Sequence, residues 1–244
     1  MQYALEHAHS RAAIQDRLAR GPRNNYLRDW IYGGIDGAVT TFSIVAGVVG
    51  ADLSAVVLLV LGFANLLADG FAMAASNYTA TRAEHDDYER VLGIERRHIA
   101  LVPEGEREEI RQIFAGKGFS GDDLDRVVAV ITSDLALWAR TMAAEEYGLS
   151  PTIRSPILAA LSTFAAFLVC GAIPLVSYLS ADGLVACVVA TGVTFFAVGA
   201  IKSRWSSSGW VRSGLQTFAI GMGAAALAFG VGLGLRFCLN LSVS

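Results

Sequence analysis

Five stretches of this 244-residue chain are apolar over roughly twenty residues each: Trp30 to Gly50, Leu53 to about Ser76, Pro156 to Leu179, Gly183 to Ile201 and Trp210 to about Cys238. A run of that length crosses the ~30 Å hydrocarbon core of a bilayer as a helix. Between the second and third runs lies a segment of opposite character. Residues 30–78 and 155–201 carry almost no charge, whereas 79–154 is dense with it. The chain as a whole is 54% hydrophobic and 17% charged, less charge than a soluble domain of this length carries.

The expected architecture is therefore an all-α membrane protein. It has an N-terminal tail (1–29), two membrane helices (30–78), a helical insert (79–154), three further membrane helices (155–238) and a C-terminal tail (239–244). The first 29 residues lack the apolar core of a secretory signal, which leaves a short interfacial helix and a disordered tail both open. Cys170, Cys187 and Cys238 fall in apolar stretches with no motif spacing, as packed or lipid-facing thiols do. The net charge of −3 gives no sign of a nucleic-acid partner.

Lysine and arginine set the expected orientation. Arg11, Arg17, Arg20, Arg23 and Arg28 precede the first span, ten basic residues lie in the insert, and Lys202, Arg204 and Arg212 join the last two spans. Neither tight turn, ADLS after the first span or SADG after the third, holds one. The positive-inside rule then places the N-terminus, the insert and the 202–212 loop in the cytoplasm. The membrane is expected to be the plasma membrane in a prokaryote or the vacuolar membrane in a eukaryote.

Within the insert, helix signals recur. The absence of proline from Leu53 to Leu92 lets the second span continue beyond the membrane as one helix. Pro103 suits a first helical turn and is followed by acidic residues that favour a helix N-terminus. The GKG at 116–118 ends that helix, Ser120 and Ser133 are candidate caps for two more, and Gly148 and Pro151 close the last.

The second span carries a polar row. Asn65, Asp69 and Met73 are spaced four residues apart and share one helix face. Asp36 lies six residues inside Trp30 on the antiparallel first span, and both aspartates fall roughly 9 Å in from the same side at ~1.5 Å per residue. Carboxylates are costly inside a membrane and are placed at pathways or paired sites. No Lys or Arg lies between residues 30 and 78 to neutralise this pair. A cation between two acids removes their repulsion, and oxygen with thioether donors suits a borderline transition metal. The plainer alternative is that the aspartates satisfy helix-end amides and Met73 only packs. Small residues on the first span (Gly33, Gly34, Gly37, Gly47 and Ala51) permit close helix approach, expected here at a two-fold axis, or alternatively between helices of one subunit.

The stretches YGGIDGAVTTFSIVAGVVGADLS and LGFANLLADGFAMAASNY resemble the two signature helices of the vacuolar iron transporter family, and the likeness runs from about residue 30 to 238. It implies a homodimer of five spans per subunit that carries Fe²⁺, and often Mn²⁺, out of the cytosol in exchange for protons. The family's translocation residues match Asp36 and Met73. Asn65 stands where some members present a carboxylate. An amide cannot release a proton, so Asp69 is the natural substitute.

In the insert, residues 82–154 hold fifteen acids and ten bases. Glu95 with His98, Glu106 with Glu109, and Met142 with Glu146 are each spaced to share a helix face. The resemblance implies that these six hold metal between helices, with His98 where the family usually has a glutamate. Imidazole also binds iron, manganese and zinc, with a stronger pH dependence. Glu104, Glu108 and Glu145 are close enough in sequence to take their places. No permanently bound cofactor is expected: Fe²⁺, or Mn²⁺, Zn²⁺ or Co²⁺, is both substrate and occupant of the insert. Two other readings compete. ERRH at 95–98 is half of a di-iron oxidase motif, but an oxidase of that kind would have no need of five spans. A membrane-anchored metal sensor or scaffold would leave the intramembrane row without a purpose. No P-loop, nucleotide fingerprint or nucleophile triad suggests an ATP-driven pump or an enzyme.

Overall fold

The computed structural model describes residues 8–21, 25–149, 154–205 and 208–238. Arg23, Pro151 and the tail 239–244, used above, lie outside them. Among the described residues every regular element is helical, and the chain forms two compact units. One comprises Asn25–Ala80 and Ser155–Ser244; the other comprises Met1–Asn24 and Thr81–Arg154.

The apolar unit contains five helices long and apolar enough to cross a membrane: α2 (Leu27–Gly50), the first part of α3 (Ala55–Leu101), α7 (Pro156–Tyr178), α8 (Gly183–Lys202, prolonged by a 3₁₀ turn at Ser203–Trp205) and α9 (Trp210–Cys238). Ser155 caps α7 by accepting from the Leu158 amide, and Pro156 occupies its first turn. The tight turn after α2 places Asp52 at a positive φ of 58° and pairs it with Arg236 at the end of α9, 2.7 Å away.

α2 is the central post of this unit. More than half (56%) of its apolar window is buried, against 22% for α3. A side chain on Gly33 or Gly37 would run into the α7 backbone at Thr163 and Phe167, and one on Gly50 into the α9 backbone at Phe229. Gly171 and Gly232 make the reciprocal approaches to Gly37 and Gly47. This corrects the expectation that the glycines of the first span face a two-fold axis. Gly33, Gly34, Gly37 and Gly50 are buried against neighbours of the same chain. Small-residue contacts of this kind supply van der Waals packing where the hydrophobic effect does not operate between helices.

The second unit contains α1 (Arg11–Arg20), the end of α3, α4 (Pro103–Gly116), α5 (Gly121–Thr132) and α6 (Leu135–Glu145). α1 is capped by Ser10 and buries no residue, so the short-helix reading of the tail holds over these ten residues. Proline opens α4, as its sequence signals predict. Two caps differ from expectation. Ser120 takes the N-cap position of α5 without a side-chain hydrogen bond. Asp134, not Ser133, caps α6, its Oδ1 accepting from the Leu137 amide at 2.7 Å. The Ser133 hydroxyl instead donates to the Val130 carbonyl and closes α5.

α5 and α6 meet at 112° and are together apolar enough to count as a sixth, broken span by composition. Their apolar residues are already engaged: Val128, Ile131, Trp138, Ala139 and Met142 form one core with Val91 and Ile110. Gly37→Ala should separate α2 from α7 and destabilise the protein by roughly 1–3 kcal/mol, the usual range for overpacking. Thermal unfolding in detergent checks this, with the exposed Gly223→Ala, which meets no neighbour, as control.

Candidate functional site

The chemistry-bearing side chains form two sets, one in each unit. In the apolar unit, Asp36 is half-buried on α2, and Asp69 lies near enough for their charges to interact. Asn65 and Met73 are likewise half-buried, while Asp69 itself is exposed on the single chain. The Asn65 amide nitrogen is buried and finds no hydrogen-bond partner. Met73 packs against the apolar core formed by α2, α3, α7 and α8. Beside Asp36 on α2, Thr40 donates to the Asp36 carbonyl at 2.8 Å, which leaves the carboxylate itself unclaimed by that hydroxyl.

The row extends further than the sequence reading drew it. Four residues past Met73, Asn77 donates from Nδ2 to Asp29 Oδ1 at 3.0 Å and to Thr163 Oγ1 at 2.7 Å, with the Ala159 carbonyl 3.3 Å away. Asp29 is only 4% exposed. Sequence reading had left it in the tail, because it precedes the tryptophan that marks the edge of the apolar run. α2 begins three residues earlier, at Leu27, and takes Asp29 inside. The i+4 continuation from Met73 was the available signal for Asn77.

In the second unit five of the six expected ligands share one electrostatic neighbourhood. Glu95 is 1% and Glu106 6% exposed. Both oxygens of Glu95 and the Oε2 of Glu106 are buried without a hydrogen-bond partner. His98 Nδ1 lies 3.5 Å from Glu106 Oε1. Burial first, then the charges of Glu109, Glu95 and Glu146, raise the Glu106 pKa to about 7, with His98 opposing. Burial, Glu95 and Glu109 raise that of Glu146 in the same way. Burial first, then the charges of Glu146 and Glu95, raise the Tyr147 pKa too.

Met142 is completely buried in the apolar core of this unit. The three neighbouring glutamates are otherwise engaged. Glu145 pairs with Lys117, Glu108 accepts from Gln112, and Glu104 is exposed beside Arg107. Among the described residues, no three His, Cys, Asp or Glu side chains are grouped closely enough to hold an ion as they stand. What the cluster presents is a set of unneutralised, partly buried carboxylates, a state that a proton or a cation relieves.

Five membrane-length helices define a multi-pass helical membrane protein, and Asp36 and Asp69 lie in a stretch, residues 30–78, that holds no Lys or Arg. Residues 27–233 match the model of the VIT family, and the chain belongs to that family. It is 33% identical to a vacuolar iron transporter of Toxoplasma gondii, over 91% of this chain and 78% of that one. It is 32% identical to vacuolar iron transporter 1 of Arabidopsis thaliana, over 83% of each. The identity to vacuolar iron transporter 2 of Oryza sativa subsp. japonica is also 32%, over 84% and 85%. These relatives are named as transporters, which sets the chain apart from enzymes.

The raised Glu106 pKa has a definite sign. The folded protein retains a proton up to pH of about 7, which the unfolded chain releases near its ordinary value of 4.5. Stability therefore falls as pH rises from about 4.5 to 7, and the loss is complete above that window. Cation binding runs the other way, since it needs the carboxylate. Hydrogen exchange of the α4 and α6 amides in metal-free protein should accelerate between pH 5 and 8 beyond the intrinsic pH effect. Glu106→Gln should flatten that excess; an unchanged excess in the variant would show that Glu106 does not cause it.

Proposed function

We propose that this protein exports Fe²⁺, with Mn²⁺ as a second substrate, from the cytosol in exchange for protons. The observation that carries this reading is the intramembrane row: Asp36 and Asp69 interact across two apolar helices, with Asn65 and Met73 beside Asp69 on α3. Two carboxylates without a base attract a divalent cation, and the Met73 thioether favours a transition metal over magnesium or calcium. The names of the relatives point to iron. Asn65 cannot release a proton, so Asp69 is assigned the proton that exchanges with the metal. The export direction is carried over from the resemblance to the vacuolar iron transporters, and the distribution of Lys and Arg supports a cytoplasmic insert.

Asp69 also supports a homodimer. An exposed carboxylate facing hydrocarbon is costly, and the neighbouring Ala68 and Ala72 are small and exposed as well. A second copy on this face would cover all three. In the insert, Glu95, His98, Glu106, Glu109, Met142 and Glu146 are assigned to collecting cations. Their negative potential raises the local cation concentration, and bound metal neutralises the orphaned oxygens of Glu95 and Glu106.

Uptake of a panel of divalent metals into proteoliposomes under an imposed pH gradient tests the reading. Asp36→Ala should abolish transport, and Met73→Leu, which keeps volume but deletes the sulfur, should slow it or change metal preference. Alanine at Glu95, Glu106, Glu109 and Glu146 together should reduce the metal bound per protein and slow transport without erasing it. Wild-type rates from Asp36→Ala vesicles would refute the intramembrane path. For the dimer, single cysteines at Ala68 and Ala72 should cross-link between subunits in the membrane, while one at the lipid-exposed Val60 should not. Absence of any cross-link would refute this face.

A further inference from the structure

We propose that Asn77 is a positioning residue for transport, holding α3 at the spacing from α2 that lets Asp69 and Met73 act with Asp36. The inference rests on the transport reading above and adds to it the next residue along the row, one that positions the ion-handling side chains without touching the ion. Of the elements that carry the row, α2 is immobilised by backbone contacts with α7 and α9 at Gly33, Gly37 and Gly50. α3 has no comparable series; it meets α7 through side chains, Leu175 against Gly62 and Phe164 and Phe167 against Gly70. Side chains yield where backbone does not, so the separation of α2 and α3 needs another determinant near the row.

Asn77 supplies one. Its amide donates simultaneously to Asp29 on α2 and Thr163 on α7, and Thr163 in turn donates to Ala159, 3.0 Å away. The Thr163 carbonyl is also the atom against which Gly33 packs. Asn77 therefore grips α3 onto the tightest contact between α2 and α7. It does so one helical turn from Met73 and two from Asp69, while Asp29 lies two turns from Asp36 on the same face of α2. Hydrogen bonds to a charged acceptor in a low-dielectric interior are strong and directional. An asparagine that merely filled space would not meet three acceptors across two neighbouring helices.

The test uses full-length protein in proteoliposomes, with Fe²⁺ transport measured as KM and maximal rate. Asn77→Ala should raise KM roughly tenfold, the equivalent of one charge-assisted hydrogen bond. Asn77→Asp should be worse, since two carboxylates then face each other. The double exchange Asp29→Asn with Asn77→Asp restores a donor opposite an acceptor and lets the Thr163 hydroxyl donate to the new carboxylate. It should bring KM back to within about threefold of wild type. Thr163→Val, which deletes one of the bonds and keeps the shape, should raise KM by a smaller factor. A reading independent of transport is the separation of spin labels at Ser43 and Ala72, which should broaden in Asn77→Ala and narrow in the double exchange.

A wild-type KM in Asn77→Ala would overturn the proposal. So would a loss of maximal rate at unchanged KM that the double exchange fails to rescue, the mark of a purely structural residue. If Asn77→Ala does not fold, an unchanged KM in Thr163→Val or an unrescued KM in the folded double exchange overturns it equally. Failure of the wild type to carry any metal would instead refute the transport reading, and the spin-label distances would still decide the positioning role.

Discussion

The closeness with which α2 meets α7 and α9 is the constraint on which the apolar unit depends. Lipid offers no hydrophobic incentive for one apolar helix to prefer another over acyl chains, so association rests on contact and on hydrogen bonds. Glycine at 33, 37 and 50 on α2, and at 171 and 232 on its neighbours, lets backbones touch. That contact removes the freedom of α2 to shift or tilt, and α2 is the helix that carries Asp36. Ionisable groups inside a membrane face the interior of the bundle rather than lipid; here the helix that carries one is seated by residues that have no side chain at all.

The two units solve the problem of unneutralised acid differently. In the apolar unit the acids are few, spaced by turns of helix, and set beside an amide, a hydroxyl-bearing residue and a thioether. In the charged unit they are crowded: Glu95 and Glu106 are enclosed while Glu109, His98 and Glu146 stand around them. Burial first, and crowding second, raise the Glu106 pKa to about 7. A proton and a cation would compete there for the same oxygens.

Much of this was legible in the amino-acid sequence, and what was not has identifiable causes. The spans could be read because length and hydropathy are local properties. Depth and helical spacing single out Asp36, Asp69 and Met73 as candidates, and family likeness adds its weight to Asp36 and Met73 alone. Asn77 and Asp29 were missed because polar residues at the edge of an apolar run look solvated until the neighbouring helix is in place. The glycines of α2 suggested a two-fold axis, with packing inside one subunit as the alternative; a sequence shows that a face is small, but not which helix will occupy it. Likewise, spacing placed six ligands on helix faces, but only tertiary structure separates Glu106 from Glu104 and Glu108, and Glu146 from Glu145 with its Lys117. Met142, read as a ligand by family likeness, lies within the apolar core.

The contrast between α2 and α3 also bears on how such a chain can change over generations. Along α2, positions 33, 37 and 50 meet neighbouring backbone so closely that a hydrogen atom fits and nothing larger, so almost any replacement there is felt. Along the outward face of α3, Val56, Val60, Leu67 and Phe71 are exposed, and one apolar side chain serves as well as another. Random mutagenesis should accordingly divide the two helices sharply. α2 should tolerate few substitutions and keep its letters, whereas the outer face of α3 should drift freely in identity while holding its hydropathy constant.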